Sequence, residues 1–362
     1  MTHSARFVDL VSSRLDDFFT ERSSILTPMG SDTGVLLEYS RRFLSGGKRF
    51  RALFAYWGYR ATSAPDEELI EPVICAAAAL ELFHAAALVH DDLIDHSETR
   101  RGGPAAHVLF RSLHREQAWS GDAESFGQSA ALLLGDLLVG WSDELLDEGL
   151  SLLADRAAHR LARADFNQMR TEVTAGQYLD LLEEVAWNTV DETTLRARAE
   201  RVALYKSAKY SVEAPLLMGS AIAGASTRQR SALMRFGRPL GMAFQLRDDL
   251  LGVFGDPATI GKPAGDDLIE GKRTVLIALT RERLLPGARQ LMDELLGDPK
   301  LSAEQIVLLQ RTITDSGASD ELERLIASAV AEAIAALDEA DFTPESRQEL
   351  LRLAQSVAHR ER

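Results

Sequence analysis

From Ile74 to Val89 the chain is almost unbroken Ala, Leu, Val, Ile and Phe, and it then reads His90-Asp91-Asp92-Leu93-Ile94-Asp95. A run of that length and content forms a helix buried on most sides, so the fold must wrap other helices around it. That core helix ends in acids. At 3.6 residues per turn Asp91 and Asp95 share a face, with Asp92 close beside them. Carboxylates so near one another repel and weaken the helix unless something neutralises them, and uncompensated charge at the end of a buried helix is expensive. Hard divalent cations take oxygen ligands, and Mg2+ commonly joins a few carboxylates to substrate phosphates. A lone acidic pattern on a helix is more often a solvated face. Here the apolar flank argues against that, and a second pair, Asp248 and Asp249, closely follows another apolar stretch, Leu240 to Leu246. Two such clusters facing each other would make a cage for a diphosphate.

Helical periodicity dominates elsewhere and strand signals are nearly absent. The pattern predicts helices over 6–22, 33–45 and 48–62, with breaks at Pro28-Met29-Gly30 and Gly46-Gly47. Asp66 reads as the N-cap of the helix that carries the first acids. Residues 96–128 read as a long polar loop, and 255–271 as a second. Between them helices are expected at 129–156, 158–187, 192–212, 214–224 and 229–254. Ser302 with Gln305 forms a capping box, and Thr343-Pro344 an N-cap and first-turn pair. No linker divides the chain, so a single all-α domain of ten or more helices over residues 1–362 is expected.

The formal net charge of −15 argues against a nucleic-acid partner, because a phosphate backbone wants a basic surface. Cys75 is the lone cysteine, set among alanines, so no disulfide forms within the chain, as suits a reducing cytoplasm. The first residues carry no leader-like apolar segment. Glu81 and His84 interrupt the best apolar run, so no transmembrane segment is expected.

Cations gather at loop edges. Gly46-Gly47-Lys48-Arg49-Phe50-Arg51 sets Lys48 and Arg51 three apart on one predicted helix face, and Arg100-Arg101-Gly102-Gly103 follows the first acids closely. Lys206, Lys262 and Lys272 flank the second cluster. Arginine suits bidentate phosphate contacts and lysine acts as a point charge. Gln245, in an apolar stretch three residues before Asp248, is either a satisfied core amide or a site group. His84 lies two turns before Asp91 and poses the same question.

Together these residues resemble a trans-isoprenyl diphosphate synthase of the polyprenyl synthetase family, with a likeness to bacterial geranylgeranyl diphosphate synthases. The resemblance runs from Gly46 to about Thr274 through GGKRFR (46–51), DDLID (91–95), TRRG (99–102), YKSA (205–208), FQLRDD (244–249), FGDP (254–257), GKP (261–263) and EGKRT (270–274), in family order. It implies an all-α helical bundle of the isoprenoid synthase type around a central substrate cavity, working as a cytoplasmic homodimer. It also implies Mg2+-dependent, head-to-tail condensation of isopentenyl diphosphate with allylic diphosphates. By position, Lys48, Arg51, His84 and Arg101 would hold isopentenyl diphosphate. Asp91, Asp95 and Asp248 would be the main ligands of more than one Mg2+ ion on the allylic diphosphate, with Asp92 and Asp249 in support. Arg100, Lys206, Lys262 and Lys272 would neutralise that diphosphate, and Ser207 and Gln245 would line the site of allylic cation charge. Lys206, Ser207, Gln245 and Arg100 would thereby be the catalytic set. Two departures stand out: Gly252 replaces a usual third Asp, a duty Asp256 could partly take, and Ser207 replaces a frequent Thr.

Product length follows from the helix. Ala87 and Ala86 lie about 6–7.5 Å below Asp91 along the axis. In short-chain relatives bulky residues there form a floor. Here the next bulky side chain is Phe83, which points to a twenty-carbon product, geranylgeranyl diphosphate, with a longer polyprenyl chain as the runner-up. A class I terpene cyclase or an inactive subunit of a heteromeric synthase would lack a use for the Lys48/Arg51 pair or for intact first-motif acids.

Overall fold

A computed structural model describes residues 3–63, 70–255 and 265–358. The chain divides into two compact units, residues 1–164 with 215–225, and residues 165–214 with 226–362. Among the described residues, apart from one two-stranded hairpin, the regular elements are helical. The all-α expectation is borne out.

The first unit holds α1 (His3–Leu26), α2 (Gly34–Leu44), α3 (Phe50–Thr62), α4 (Glu71–Ile94), α5 (Ala106–Glu116), α6 (Ala123–Ser151), the start of α7 (Arg156–Ala186) and most of α9 (Ala214–Ile222). Helix α4 is its axis. Ala76 to Leu80 are fully buried. Side chains that small let α6 come close: a Cβ on Gly149 would strike Cys75, and one on Gly135 would strike His90, so the two helices pack antiparallel along most of their length. By length and composition α4 could cross a membrane, against the expectation above. Glu81 and His84 do not offset so apolar a run, but 83% of its apolar window is buried inside the protein, as in a core helix.

The second unit holds the rest of α7, α8 (Leu195–Val202), a π-helix (Ala203–Glu213), α10 (Thr227–Phe254), α11 (Asp266–Glu270), α12 (Val275–Arg283), α13 (Pro286–Leu295), α14 (Ala303–Asp315), α15 (Ala318–Ala336) and α16 (Pro344–Ala358). Helix α10 is its axis, packed by the π-helix and α15. Ser302–Gln305 forms the expected capping box, and Thr343 Oγ1 accepts the Ser346 N–H.

Residues 96–128 are not one loop. They contain β1 (Thr99–Arg100), β2 (Gly103–Pro104) and α5. Helix α5 escapes a hydropathy reading because its buried face uses His107 and His114 beside Ala106 and Phe110. Asp66 lies outside the described residues. So do Asp256, Lys262 and most of the second predicted loop, which ends in the short helix α11.

Candidate active site

In the first unit α4 stops just where its acids stand. His96 takes a left-handed conformation (φ 54°), and the Ser97 N–H returns to the Asp92 carbonyl at 3.0 Å, the bond that closes a helix end. The Asp95 N–H still bonds the Asp91 carbonyl at 2.8 Å, so Asp91 and Asp95 keep the one-turn relation read from the sequence. Both are half-buried, while Asp92 is fully buried.

Two residues further the chain makes the hairpin β1–β2, with Arg100 paired to Gly103. Its two-residue turn, Arg101-Gly102, has φ of 53° and 74°, the geometry that matches strand twist in a tight hairpin. A left-handed arginine is uncommon and costs energy, a cost this tight turn imposes on its first central residue. The turn parts two adjacent guanidinium groups. Arg100 reaches back to α4: its Nε donates to Asp92 Oδ1 at 2.8 Å and its Nη2 to Asp91 Oδ2 at 3.3 Å and to Asp92 Oδ1. Arg101 goes the other way, to the Gly46-Gly47 loop. It donates to the Ser45 carbonyl at 3.3 Å, and its Nη2 lies 3.4 Å from where a Gly47 Cβ would be.

That loop corrects one expectation. Lys48 is not on a helix face with Arg51, because Gly46 (φ 73°), Gly47 (φ 78°) and Arg49 (φ 47°) all turn left-handed and α3 starts only at Phe50. Lys48 is exposed beside the Phe50 ring, and Arg51 sits in the first turn of α3. A residue the sequence reading missed holds the loop. Glu81, 7% exposed on α4, accepts the Ala52 N–H at 3.3 Å and stands 3.8 Å from Arg49 Nη1. It thus puts a buried negative charge at the N-terminus of α3, where helix dipole and arginine both favour it. Partial desolvation lowers the Arg101 pKa; Glu81 opposes this, while Arg100, Arg51 and Arg49 add to it. His84 shares this cluster. Burial first, and then Arg51, Arg101 and Arg100, push its pKa well below the ordinary histidine value, so it is neutral and offers one donor and one acceptor.

The second unit arranges its groups around α10. Gln245 is satisfied there: its Nε2 donates to Asp249 Oδ1 at 2.8 Å. Asp249 is buried and its pKa is raised well above the carboxylate range by that burial, with Asp267, Asp248 and Asp180 adding to it and Gln245 opposing. Asp248, one residue earlier, is half-buried. Lys206 and Ser207 lie on the π-helix, a form that recurs at functional sites. It nests closely between α7 and α10: a Cβ on Gly176 would fall 2.4 Å from the Lys206 nitrogen, and one on Gly241 would fall 2.3 Å from the Ala208 carbonyl. Lys206 Nζ meets Asp180 at 2.5 Å, and Lys272 Nζ stands 3.8 Å from that same carboxylate. The reading from sequence missed Asp180, which α7 carries buried within the unit.

Gly252 has a structural reason. A Cβ at this position would lie 2.0 Å from Asp267 Oδ2 and 2.4 Å from its Cγ. The Asp267 carboxylate, arriving from α11, fills the space of the side chain that Gly252 lacks.

Among the described residues no three His, Cys, Asp or Glu side chains lie close enough to hold a metal ion by themselves. The donors are nonetheless all hard carboxylate oxygens. This fits Mg2+, which keeps several waters and takes one or two carboxylates plus phosphate oxygens.

A family model of polyprenyl synthetases matches residues 34–312. The chain belongs to the polyprenyl synthetase family. The fold and the trans-prenyltransferase reading are thereby borne out. Among its relatives, geranylgeranyl diphosphate synthase of Mycobacterium tuberculosis is 31% identical over 88% of this chain and 81% of that one. Geranylfarnesyl diphosphate synthase of Aeropyrum pernix is 31% identical over 77% of this chain and 79% of that one. Among solved structures, geranylgeranyl pyrophosphate synthase of Corynebacterium glutamicum, complexed with isoprenyl diphosphate and magnesium, is 38% identical. The two superpose with a TM-score of 0.92 over 99% of each chain.

Proposed function

We propose that this polyprenyl synthetase condenses isopentenyl diphosphate with allylic diphosphates, head to tail and with Mg2+, and that its main product is the all-trans twenty-carbon geranylgeranyl diphosphate. Both units act as one isoprenoid synthase domain, and the working form is a cytoplasmic homodimer. One observation carries the reading. Arg100 and Arg101 are consecutive, yet one is tied to the aspartates and the other to the Gly46–Arg51 loop. This supports a reading in which two anion-binding sets adjoin within the first unit, as a transferase with two diphosphate substrates requires and a cyclase with one does not.

Each residue then has a task. Lys48, Arg51, Arg101 and neutral His84 hold isopentenyl diphosphate. Asp91, Asp95 and Asp248 hold Mg2+ on the allylic diphosphate, Asp92 and Asp249 support them, and Mg2+ when bound offsets the charge that collects on the leaving group. Lys206, Lys272 and Arg100 add positive charge there. Ser207 and Gln245 line the site where allylic cation charge develops, and the apolar wall of α4 keeps water away. No protein nucleophile is needed.

Incubation of the purified chain with Mg2+, isopentenyl diphosphate and, separately, dimethylallyl, geranyl and farnesyl diphosphates, followed by product sizing, tests this. Consumption of isopentenyl diphosphate with a twenty-carbon product is expected; no consumption with any primer would sink it.

Phe83 is 6% exposed and Ala86 fully buried on α4, with Ala87 a turn below Asp91. Phe83→Ala removes the floor, so products longer than twenty carbons should accumulate; an unchanged distribution would place the floor elsewhere. Glu81→Gln keeps the shape and removes the charge that fixes the loop. It should raise KM for isopentenyl diphosphate about tenfold, the worth of one charge-assisted hydrogen bond, with KM for the allylic substrate nearly unchanged. Equal rises in both would deny Glu81 this role.

A further inference from the structure

Lys272 sits in the linker between α11 and α12, residues 271–274. Gly271 (φ 79°) ends α11, and the Thr274 side chain accepts the Ile277 N–H to start α12. Lys272 turns towards Asp180 and Glu270, at 3.8 and 3.6 Å. Its neighbour Arg273 goes elsewhere. The Arg273 guanidinium lies 5.2 Å from the ring centroid of Trp187, a residue 2% exposed that opens the turn directly after α7. Among the described residues, Arg273 Nε and Nη1 are buried without a hydrogen-bond partner, and so is Trp187 Nε1.

A guanidinium withdrawn from water with those donors unused is costly, and an aliphatic side chain would fill the same space for less. What arginine adds is a flat, permanently charged face that stacks on indole at a set distance. The stack joins the α11–α12 linker to the end of α7, the helix that carries Asp180 seven residues before Trp187. One side chain of the linker is thus pinned to α7 while the next reaches Asp180.

We propose that the Arg273–Trp187 stack is a positioning clamp: it fixes the linker so that Lys272 stands at the allylic diphosphate. This rests on the prenyl-transfer reading for the role of Lys272. It predicts an effect confined to one substrate. Arg273→Met and Trp187→Leu should raise KM for the allylic diphosphate about tenfold, as for a lost desolvated cation–π contact, and leave KM for isopentenyl diphosphate within about twofold. Trp187→Phe, which keeps a ring, and Arg273→Lys, which keeps a charge, should fall between these and the wild type. Calorimetric titration of each protein with inorganic diphosphate and Mg2+ should show a matching loss of affinity. Folded Arg273→Met with unchanged allylic KM, or equal rises for both substrates, would overturn the clamp. If Arg273→Met failed to fold, Trp187→Phe and Arg273→Lys would decide by the same comparison. A wild-type chain that consumed no isopentenyl diphosphate would remove the transfer reading, while the diphosphate affinities would still decide whether the stack positions Lys272.

Discussion

Gly252→Asp, which would write the family's second motif out in full, is expected to lower turnover about a hundredfold, because it overpacks a filled site by about 2–3 kcal/mol. The clash is with a carboxylate that is already there. Asp267 Oδ2 lies 2.0 Å from the position of a Cβ at residue 252, closer than any real contact, so Asp267 must move. The incoming charge would also join Asp248, Asp249 and Asp180, where Asp249 is already hard to ionise because it is buried among acids. Three variants separate the effects. Gly252→Ala tests crowding alone and should cost less. Gly252→Asp with Asp267→Gly exchanges the positions of the two carboxylates and should recover much of the loss. If Gly252→Asp raised turnover, Asp267 would not be filling the missing place.

That prediction shows where reading from sequence stops. The motifs around the acids were legible because each is local: Asp91 and Asp95 are one turn apart whatever surrounds them, and the apolar run before them needs a helical shell. Gly252 looked like a defect, with Asp256 the nearest carboxylate to offer in its place; Asp267, fifteen residues on, returns to it only through α11. Glu81 and Asp180 were passed over for the same reason. Their partners lie 29 and 26 residues away, at Ala52 and Lys206, and an isolated acid in an apolar run reads as an interruption. The hairpin at Thr99–Pro104 carried no strand signal because two residues are too few for alternation, and its turn uses Arg-Gly rather than Asn-Gly. The π-helix had no local mark either. Its close approach to α7 and α10 is written in Gly176 and Gly241, far from it in sequence.

Arg100→Met should destabilise the metal-free protein by about 3–5 kcal/mol, the cost of breaking a buried ion pair from one side. Asp92 is fully buried, and Arg100 Nε meets its Oδ1 at 2.8 Å while Nη2 also spans to Asp91. Methionine keeps the length of the side chain and leaves the carboxylate without that cation. Arg100→Lys should fall between, since a single ammonium cannot reproduce the fork that reaches both aspartates. On the proposed function Arg100 would face two claims, from Asp92 and from the allylic diphosphate, and it could meet the second only if positive charge replaced it at the acids. Mg2+ is the cation that the site chemistry offers. Denaturant unfolding in EDTA and in Mg2+ with inorganic diphosphate therefore divides the roles. The deficit of Arg100→Met should shrink when Mg2+ is present, because a ligand that binds the folded acids restores part of the lost stability by mass action. The double variant Asp92→Asn/Arg100→Met should be less destabilised than the sum of the single changes, as expected for residues in direct contact. A deficit that is the same with and without Mg2+ would mean that Arg100 serves Asp92 as a fixed structural partner and takes no part in handing those acids to the metal.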